Sequence, residues 1–425
     1  MAMPIPFGLL PDTARLADDG SLLIGGCSLI ELAETYGTPL FVYDEIHLRN
    51  RCREAVSAFG YQNVVYATKA FLCTAMARLA YEEGLLLDVA TGGELHVALA
   101  AGVPADACTM HGNNKSIDEL RMAITQGVRQ VVVDSFDEMD RLDALHLEGL
   151  AAPNVMLRIT PGVHAHTHEF IATGQDDSKF GFNLGNGDAM IAVDRARRCP
   201  SMQLVGLHCH IGSNVFAASN FAKAAEVMAN FAVPLDLPEL VLGGGLGVAY
   251  TVGEEAPTIT QWGSVLLDAC AALGVRSRVS VEPGRSIVAA AAVTLYSVGT
   301  VKRIPGIRTY IAVDGGMSDN PRPVLYGSGY EAFLPRAVEA DRGGSARIVG
   351  KHCESGDVLI FDAAVPGDIC VGDVLATPVT GAYGQSMGSN YNKVPRPAVV
   401  FVGDGRSRLV VRRETFDDLL ACDIG

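Results

Sequence analysis

From residue 63 onward, short apolar runs alternate with longer stretches in which apolar residues recur at helical spacing. The runs fall at 63–68, 85–89, 107–110, 130–134, 154–160, 203–208, 239–242 and 278–282, and each is short and β-rich enough to predict a buried strand. Helical periodicity fills the intervals, among them 73–83, 93–101, 117–126, 136–146, 221–231 and 261–272. Eight strands alternating with helices predict an α/β fold, a closed parallel (β/α)₈ barrel of the TIM type rather than an open doubly wound sheet. The weakest of the eight signals is Ala107-Cys108-Thr109-Met110.

After about Ile287 the apolar runs recur without long helices between them, as in Val293-Thr294-Leu295-Tyr296 and Thr309-Tyr310-Ile311-Ala312-Val313. The last two flank Gly403-Asp404-Gly405 and predict a hairpin. At the other end, Ser28 with Glu31 predicts a capping box, and Gly37 a helix stop. Leu40-Phe41-Val42-Tyr43 then leads into a helix over 45–59. The expected division is a barrel over 40–287 and a separate, mostly-β domain, of sandwich or β-barrel type, from 1–39 and 288–425.

Composition narrows the function. Of 425 residues, 49% are hydrophobic, ample for two cores. A net charge of −15, with no cluster of lysine and arginine, argues against nucleic acid as a partner. The N-terminus has no basic segment followed by an apolar core, and the longest nearly apolar stretch, 287–298, is too short to span a bilayer. A cytoplasmic protein acting on a small molecule, with no membrane partner, is expected. The ten cysteines form no Cys-x-x-Cys pair, so they are expected to be reduced and mostly buried.

In such a barrel the chemistry gathers where strands end. Lys69 ends the first, Asp88 the second, Arg158 lies in the fifth, and His208-Cys209-His210 ends the sixth. An ammonium partly withdrawn from water yields a neutral amine more readily, which suits attack on a carbonyl; a lysine whose head reaches water past the strand end is the plainer alternative. Gly243-Gly244-Gly245 after the seventh strand suits either a phosphate bed, with Ser213 and Arg285 contributing, or simply a tight turn. Glu282 could pair with Arg285 or face the nitrogen of a pyridine ring. One of His208 and His210 could stack on such a ring; a core histidine is the alternative.

Elsewhere, His164, His166 and His168 alternate, but without a supporting carboxylate pair or cysteine ligand a polar loop is favoured over a metal site. Lys179 is a rival amine in a loop. Cys353, between His352 and Glu354, offers a thiol able to donate a proton, and the loop carrying Arg322 and Tyr326 suits a carboxylate.

Taken together, these motifs resemble the diaminopimelate decarboxylases, of the fold-type III (alanine racemase/ornithine decarboxylase-like) pyridoxal-phosphate enzymes. The resemblance rests on Tyr66-Ala67-Thr68-Lys69-Ala70, Pro161 to Glu169 with Asp177 to Phe182, Gly206 to Ser213, Gly243 to Gly245, Glu282-Pro283-Gly284-Arg285, Gly316 to Tyr326 and Cys353 to Asp357, and covers nearly the whole chain. It implies that Lys69 joins the cofactor as a Schiff base, that His210 stacks on its ring and that Glu282 meets the pyridine nitrogen. Gly243, Gly244, Gly245, Ser213 and Tyr383 would hold the phosphate, with Asp88, Arg158, Gly284 and Arg285 completing the cofactor site. Arg285, Arg322, Tyr326, Glu354 and Tyr383 would surround substrate, Cys353 would return a proton to Cα, and no metal is assigned. The resemblance also implies a homodimer in which the β domain of one subunit completes the active site of the other. Where members of the family often carry asparagine after the Lys-Ala pair, this chain has Phe71. A distal carboxylate on the substrate suits Arg322 or Arg285, which favours diaminopimelate over ornithine. A related basic amino-acid decarboxylase and a catalytically silent cofactor-binding homologue are the alternatives.

Overall fold

The computed structural model describes residues 4–163 and 174–425. The chain forms two compact units, one of Arg51–Gly247 with Ala256–Ser286, the other of Met1–Asn50, Val248–Glu255 and Ile287–Gly425.

In the first unit, Val65–Ala67, Leu86–Val89, Cys108–Met110, Gln130–Val133, Asn154–Thr160, Gln203–Cys209, Glu239–Val241 and Arg278–Ser280 pair in parallel, each beside its predecessor. A bridge between Val64 and Val281 joins the last strand to the first, and Val65 N–H donates to Val281 O at 2.8 Å. All eight expected strands are present, including the weak third one. They read as continuous apolar runs because both faces of a barrel sheet are covered.

Helices begin where the sequence supplies caps. Ser116 and Glu119 form a reciprocal capping box, as do Thr258 and Gln261, while Thr91 and Ser135 cap the helices Gly92–Ala100 and Phe136–Leu147. Inside the barrel Val132, Met156 and Val241 pack together. Gly206 keeps this layer closed, since a Cβ there would strike Met156 Cε and the Glu239 carbonyl. A helix at Asp188–Arg198 and a two-residue strand at Phe182–Asn183 lie beyond the elements that the apolar pattern predicts.

The second unit holds an eight-stranded sheet. Its path runs Val358–Val365, Gly344–Val349, Arg308–Val313, Ala292–Ile304, Leu40–Asp44, Ala398–Gly403 and Arg406–Val411, with Val374–Pro378 also pairing with Ala292–Ile304. The expected hairpin forms around Asp404 and Gly405, whose φ of 51° and 72° are those of a two-residue type I′ turn. Leu40–Asp44 departs from expectation. Though within the expected bounds of the barrel domain, it belongs to the second unit, where it pairs with Ala292–Ile304 and Ala398–Gly403, and all five of its residues are buried. The apolar run Leu40-Phe41-Val42-Tyr43 satisfies a strand in either kind of sheet, so local pattern could not choose.

None of the ten cysteines is joined in a disulfide, but only Cys52, Cys73, Cys108, Cys209 and Cys270 are buried. The exposed Cys353, Cys370 and Cys422 lie outside helices and strands. Among the described residues, no helix is long and apolar enough to cross a membrane.

The only tryptophan, Trp262, is fully buried and meets the edges of Phe59 at 5.2 Å and Phe221 at 5.7 Å. Trp262→Ala is expected to lower stability by about 3–5 kcal/mol. Urea unfolding followed by circular dichroism checks this; a change under about 1 kcal/mol would mean that the helices around it do not depend on this packing.

Candidate active site

Lys69 lies one step beyond the expected position. The first strand ends at Ala67, and Lys69 is the middle residue of a single 3₁₀ turn, Thr68–Ala70, with its side chain exposed. Its surroundings hold the turn from both sides. Thr68 Oγ1 donates to the Asp88 carbonyl at 2.6 Å, and the buried Tyr66 hydroxyl donates to Phe71 O at 2.7 Å, closing the backbone around the lysine. Beneath it, Gly284 gives room. A Cβ there would press on Ala67 and Ala70 at 3.0–3.1 Å, so glycine lets the segment after the last strand pass under the Lys69 turn.

Glu282 lies just past the last strand and is buried. His208 Nε2 lies 2.8 Å from its Oε2, and His111 Nε2 lies 3.0 Å from its Oε1. The two imidazoles meet edge to face at 5.0 Å. Burial alone would raise the Glu282 carboxyl, but the two histidines hold it well below the usual carboxylate range. Asp88, 3.8 Å from His111 Nε2, is pushed up to about 6, chiefly by burial. Donor atoms of His111, His208 and Glu282 lie within 4.8 Å of one another, close enough for a metal triad. Both carboxylate oxygens are already met by ring nitrogens, however, which suits a charge network better than a metal centre.

A second buried layer supports this one. Arg158 Nε lies 3.7 Å from Asp134 Oδ1, and its guanidinium covers the Phe180 ring at 4.1 Å. Asp134 Oδ2 accepts from Gly181 N–H at 3.0 Å, and its own N–H donates to Glu138 Oε2. Glu138 in turn pairs with the fully buried Lys115 at 2.9 Å, whose ammonium also donates to Gly112 O and Val132 O.

The glycine run forms a bed no side chain can fill. A Cβ on Gly243, Gly244 or Gly245 would drive into the carbonyl of Cys209, Glu282 or Gly212 respectively. Ser213 comes directly after Gly212 on the neighbouring loop, which is stitched to the bed by Val215 N–H donating to Gly245 O at 2.9 Å. His210 lies past the sixth strand, and its Nδ1 accepts from Gly244 N–H at 3.2 Å. Burial, then Lys69 and Arg158, hold this imidazole well below its ordinary range, so it is neutral. His208 and His210 therefore do different things, one reaching Glu282 and the other the glycine bed. Arg285 is buried and opens the short helix Arg285–Val288.

In the other unit, Arg322 is buried with its guanidinium 4.2 Å over the Tyr250 ring and donating to the Tyr330 hydroxyl at 2.6 Å. Its charge is thus met by aromatic rings and a phenol rather than a carboxylate. Tyr383 has a left-handed backbone, φ 62°, and its phenol adds to the field at Arg322. Tyr326 ends the short helix Arg322–Tyr326 and is half-buried. Cys353 is exposed, with its N–H held by Asn392 Oδ1 at 3.1 Å, and Glu354 beside it is exposed too. Lys179, the rival amine, is exposed next to Phe180. His164, His166, His168 and Glu169 lie outside the described residues.

The structure thus gathers Lys69, Asp88, Arg158, His210, Glu282, Gly284 and the glycine bed within the barrel unit. It adds His111, Asp134, Lys115 and Glu138, which the sequence reading passed over. His111 and Asp134 stand directly after the third and fourth strands, the rule that found the others.

Comparison with known proteins decides what this arrangement belongs to. The model of the pyridoxal-dependent decarboxylase pyridoxal binding domain matches residues 45–289. Diaminopimelate decarboxylase of Mycobacterium tuberculosis is 47% identical, with 95% of each chain covered, and that of Bacillus subtilis is 46% identical over 98% of each. The chain belongs to the diaminopimelate decarboxylase family. The crystal structure of the M. jannaschii family member in complex with L-lysine superposes with a TM-score of 0.90 at 34% identity, covering 97% of this chain and 98% of that one. The barrel with a separate mostly-β unit is the fold-type III architecture of these decarboxylases. The donor set fits a pyridoxal cofactor, since a charged buried carboxylate suits a protonated ring nitrogen and a run of glycines directly after a strand suits a phosphate.

Lys115→Met leaves Glu138 buried without its cation and is expected to cost about 3–5 kcal/mol. Adding Glu138→Leu should recover most of it. Denaturant unfolding of the three proteins checks this, and equal stability of the single and double variants would show that the pair is not coupled.

Proposed function

We propose that this protein decarboxylates meso-2,6-diaminopimelate to L-lysine and CO₂, the last step of lysine biosynthesis, using pyridoxal 5′-phosphate. The observation that carries this reading is Glu282, a carboxylate kept charged in a barrel whose Lys69 turn rests on the same segment, in a chain with full-length diaminopimelate decarboxylase relatives. When bound, pyridoxal phosphate supplies the electron sink for the electrons a departing carboxylate leaves behind.

Lys69 would hold the cofactor through its amine. Glu282 sets a fixed negative charge for the ring nitrogen, and the neutral His210 offers a flat surface to the ring. Gly243, Gly244, Gly245, Ser213 and Tyr383 would receive the phosphate, Asp88, Arg158 and Gly284 would shape the rest of the site, and Arg285 would serve either phosphate or substrate. Arg322, lacking a carboxylate partner among the described residues, takes the distal carboxylate of the substrate, and Tyr326 and Tyr383 line the same end. Glu354 takes the distal ammonium. The Cys353 thiol gives a proton to Cα, and the exposure of Cys353 and Glu354 suits groups that serve a second copy of the chain. The proposed assembly is a cytoplasmic homodimer.

Purified protein given pyridoxal phosphate should release CO₂ and form L-lysine from meso-diaminopimelate, and leave ornithine and arginine untouched. Turnover of ornithine or arginine with diaminopimelate inert would replace this substrate assignment. Lys69→Ala should abolish both CO₂ release and the visible absorbance of the bound cofactor; if both persist, the role passes to Lys179.

Cys353→Ala should bind substrate nearly as well, with kcat lowered about 10²–10⁴-fold. An unchanged kcat would remove the thiol from proton delivery.

A further inference from the structure

Two imidazoles touch Glu282, and the geometry distinguishes them. His208 points Nε2 at Oε2 from 2.8 Å, while its other nitrogen, Nδ1, is buried with no hydrogen-bond partner. A proton on that nitrogen would be left unsatisfied, so His208 is a neutral donor. His111 is placed differently. Its Nε2 stands between two carboxylates, 3.0 Å from Glu282 Oε1 and 3.8 Å from Asp88 Oδ1, close enough for ion pairing with both but aligned for a hydrogen bond with neither.

We infer that His111 is a positioning residue, an imidazolium that fixes Oε1 of Glu282 and carries the positive charge that lets this carboxylate stay ionised inside the barrel. The inference rests on the proposed function for the role of Glu282, and adds the residue that sets its state. The charged and titratable groups facing His111 are Asp88 on the second strand, Asp134 after the fourth, Arg158 on the fifth, His208 on the sixth and Glu282 after the eighth. Three are anionic when ionised, one is a cation and one is neutral, so the balance favours a charged ring. The electrostatics agree. Burial lowers His111, but Asp88 and Glu282 outweigh it and its pKa is raised, whereas burial pushes His208 down to about 4. The charge on His111 is therefore complete below the ordinary 6.5 and lost only as pH rises through the raised value.

The first test needs no cofactor. In histidine-labelled full-length protein, the His111 ring, assigned through its contact with the His208 ring, should keep the charged chemical shift at pH 7 while His208 stays neutral. A neutral His111 at pH 7 overturns the inference. The second test titrates pyridoxal phosphate into wild type, His111→Gln and His111→Phe across pH. Both variants should bind it about tenfold more weakly or worse. Their acid limb of binding should move up by about 1–3 units, because Glu282 has lost its cation. Glutamine, which keeps a donor without a charge, should restore part of the affinity at pH 8 but none of the limb. Folded variants with an unmoved acid limb overturn the inference. Wild type that binds no pyridoxal phosphate sinks the functional reading instead, and the ring titration still decides His111.

Discussion

A carboxylate withdrawn from water keeps its charge only where N–H donors and cations replace the hydration it has lost. Glu282 meets that condition through His208 and His111, and much of the barrel interior is arranged around it. Asp88 stands in the same field, and burial pushes it up to about 6. Arg158 answers the accumulated negative charge, and Asp134 answers Arg158. The network continues through Glu138 to Lys115, so the mouth of the barrel is braced by linked ion pairs rather than by apolar packing alone.

Ring closure brings the parts together. The last strand bonds to the first through Val64 and Val281, and this sets the Glu282–Arg285 segment beneath the Lys69 turn. Glycine is required where backbones cross. Gly284 yields space to Ala67 and Ala70, and Gly243 to Gly245 yield it to three carbonyls. The amine, the fixed negative charge and the anion bed are thus held by rigid elements, as a site must be if its geometry is to survive thermal motion.

Much of this was legible before folding. Eight apolar runs at barrel spacing named the strands, and the rule that chemistry collects at strand ends found Lys69, Asp88, His210 and Glu282. The same rule covered His111 and Asp134, but the third strand is three residues long, and so faint a signal drew no attention to the histidine at its end. Lys115 and Glu138 gave no local sign at all, because a lysine and a glutamate at the starts of successive helices read as solvated polar positions. The expected barrel bound at 40 took in Leu40–Asp44 for a different reason, its five buried residues being compatible with a strand in either unit.

By itself the sequence determined the period, order and type of the elements, the caps that start the helices and the family to which the motifs belong, because these depend on neighbours a few residues apart. Only the tertiary structure decided which histidines meet Glu282, that Lys69 sits on a turn rather than a strand, and that Arg322 is held among tyrosines. Those outcomes depend on distances between side chains far apart in the chain, and a pKa or an ion pair is set by such distances and by burial, neither of which local patterning encodes.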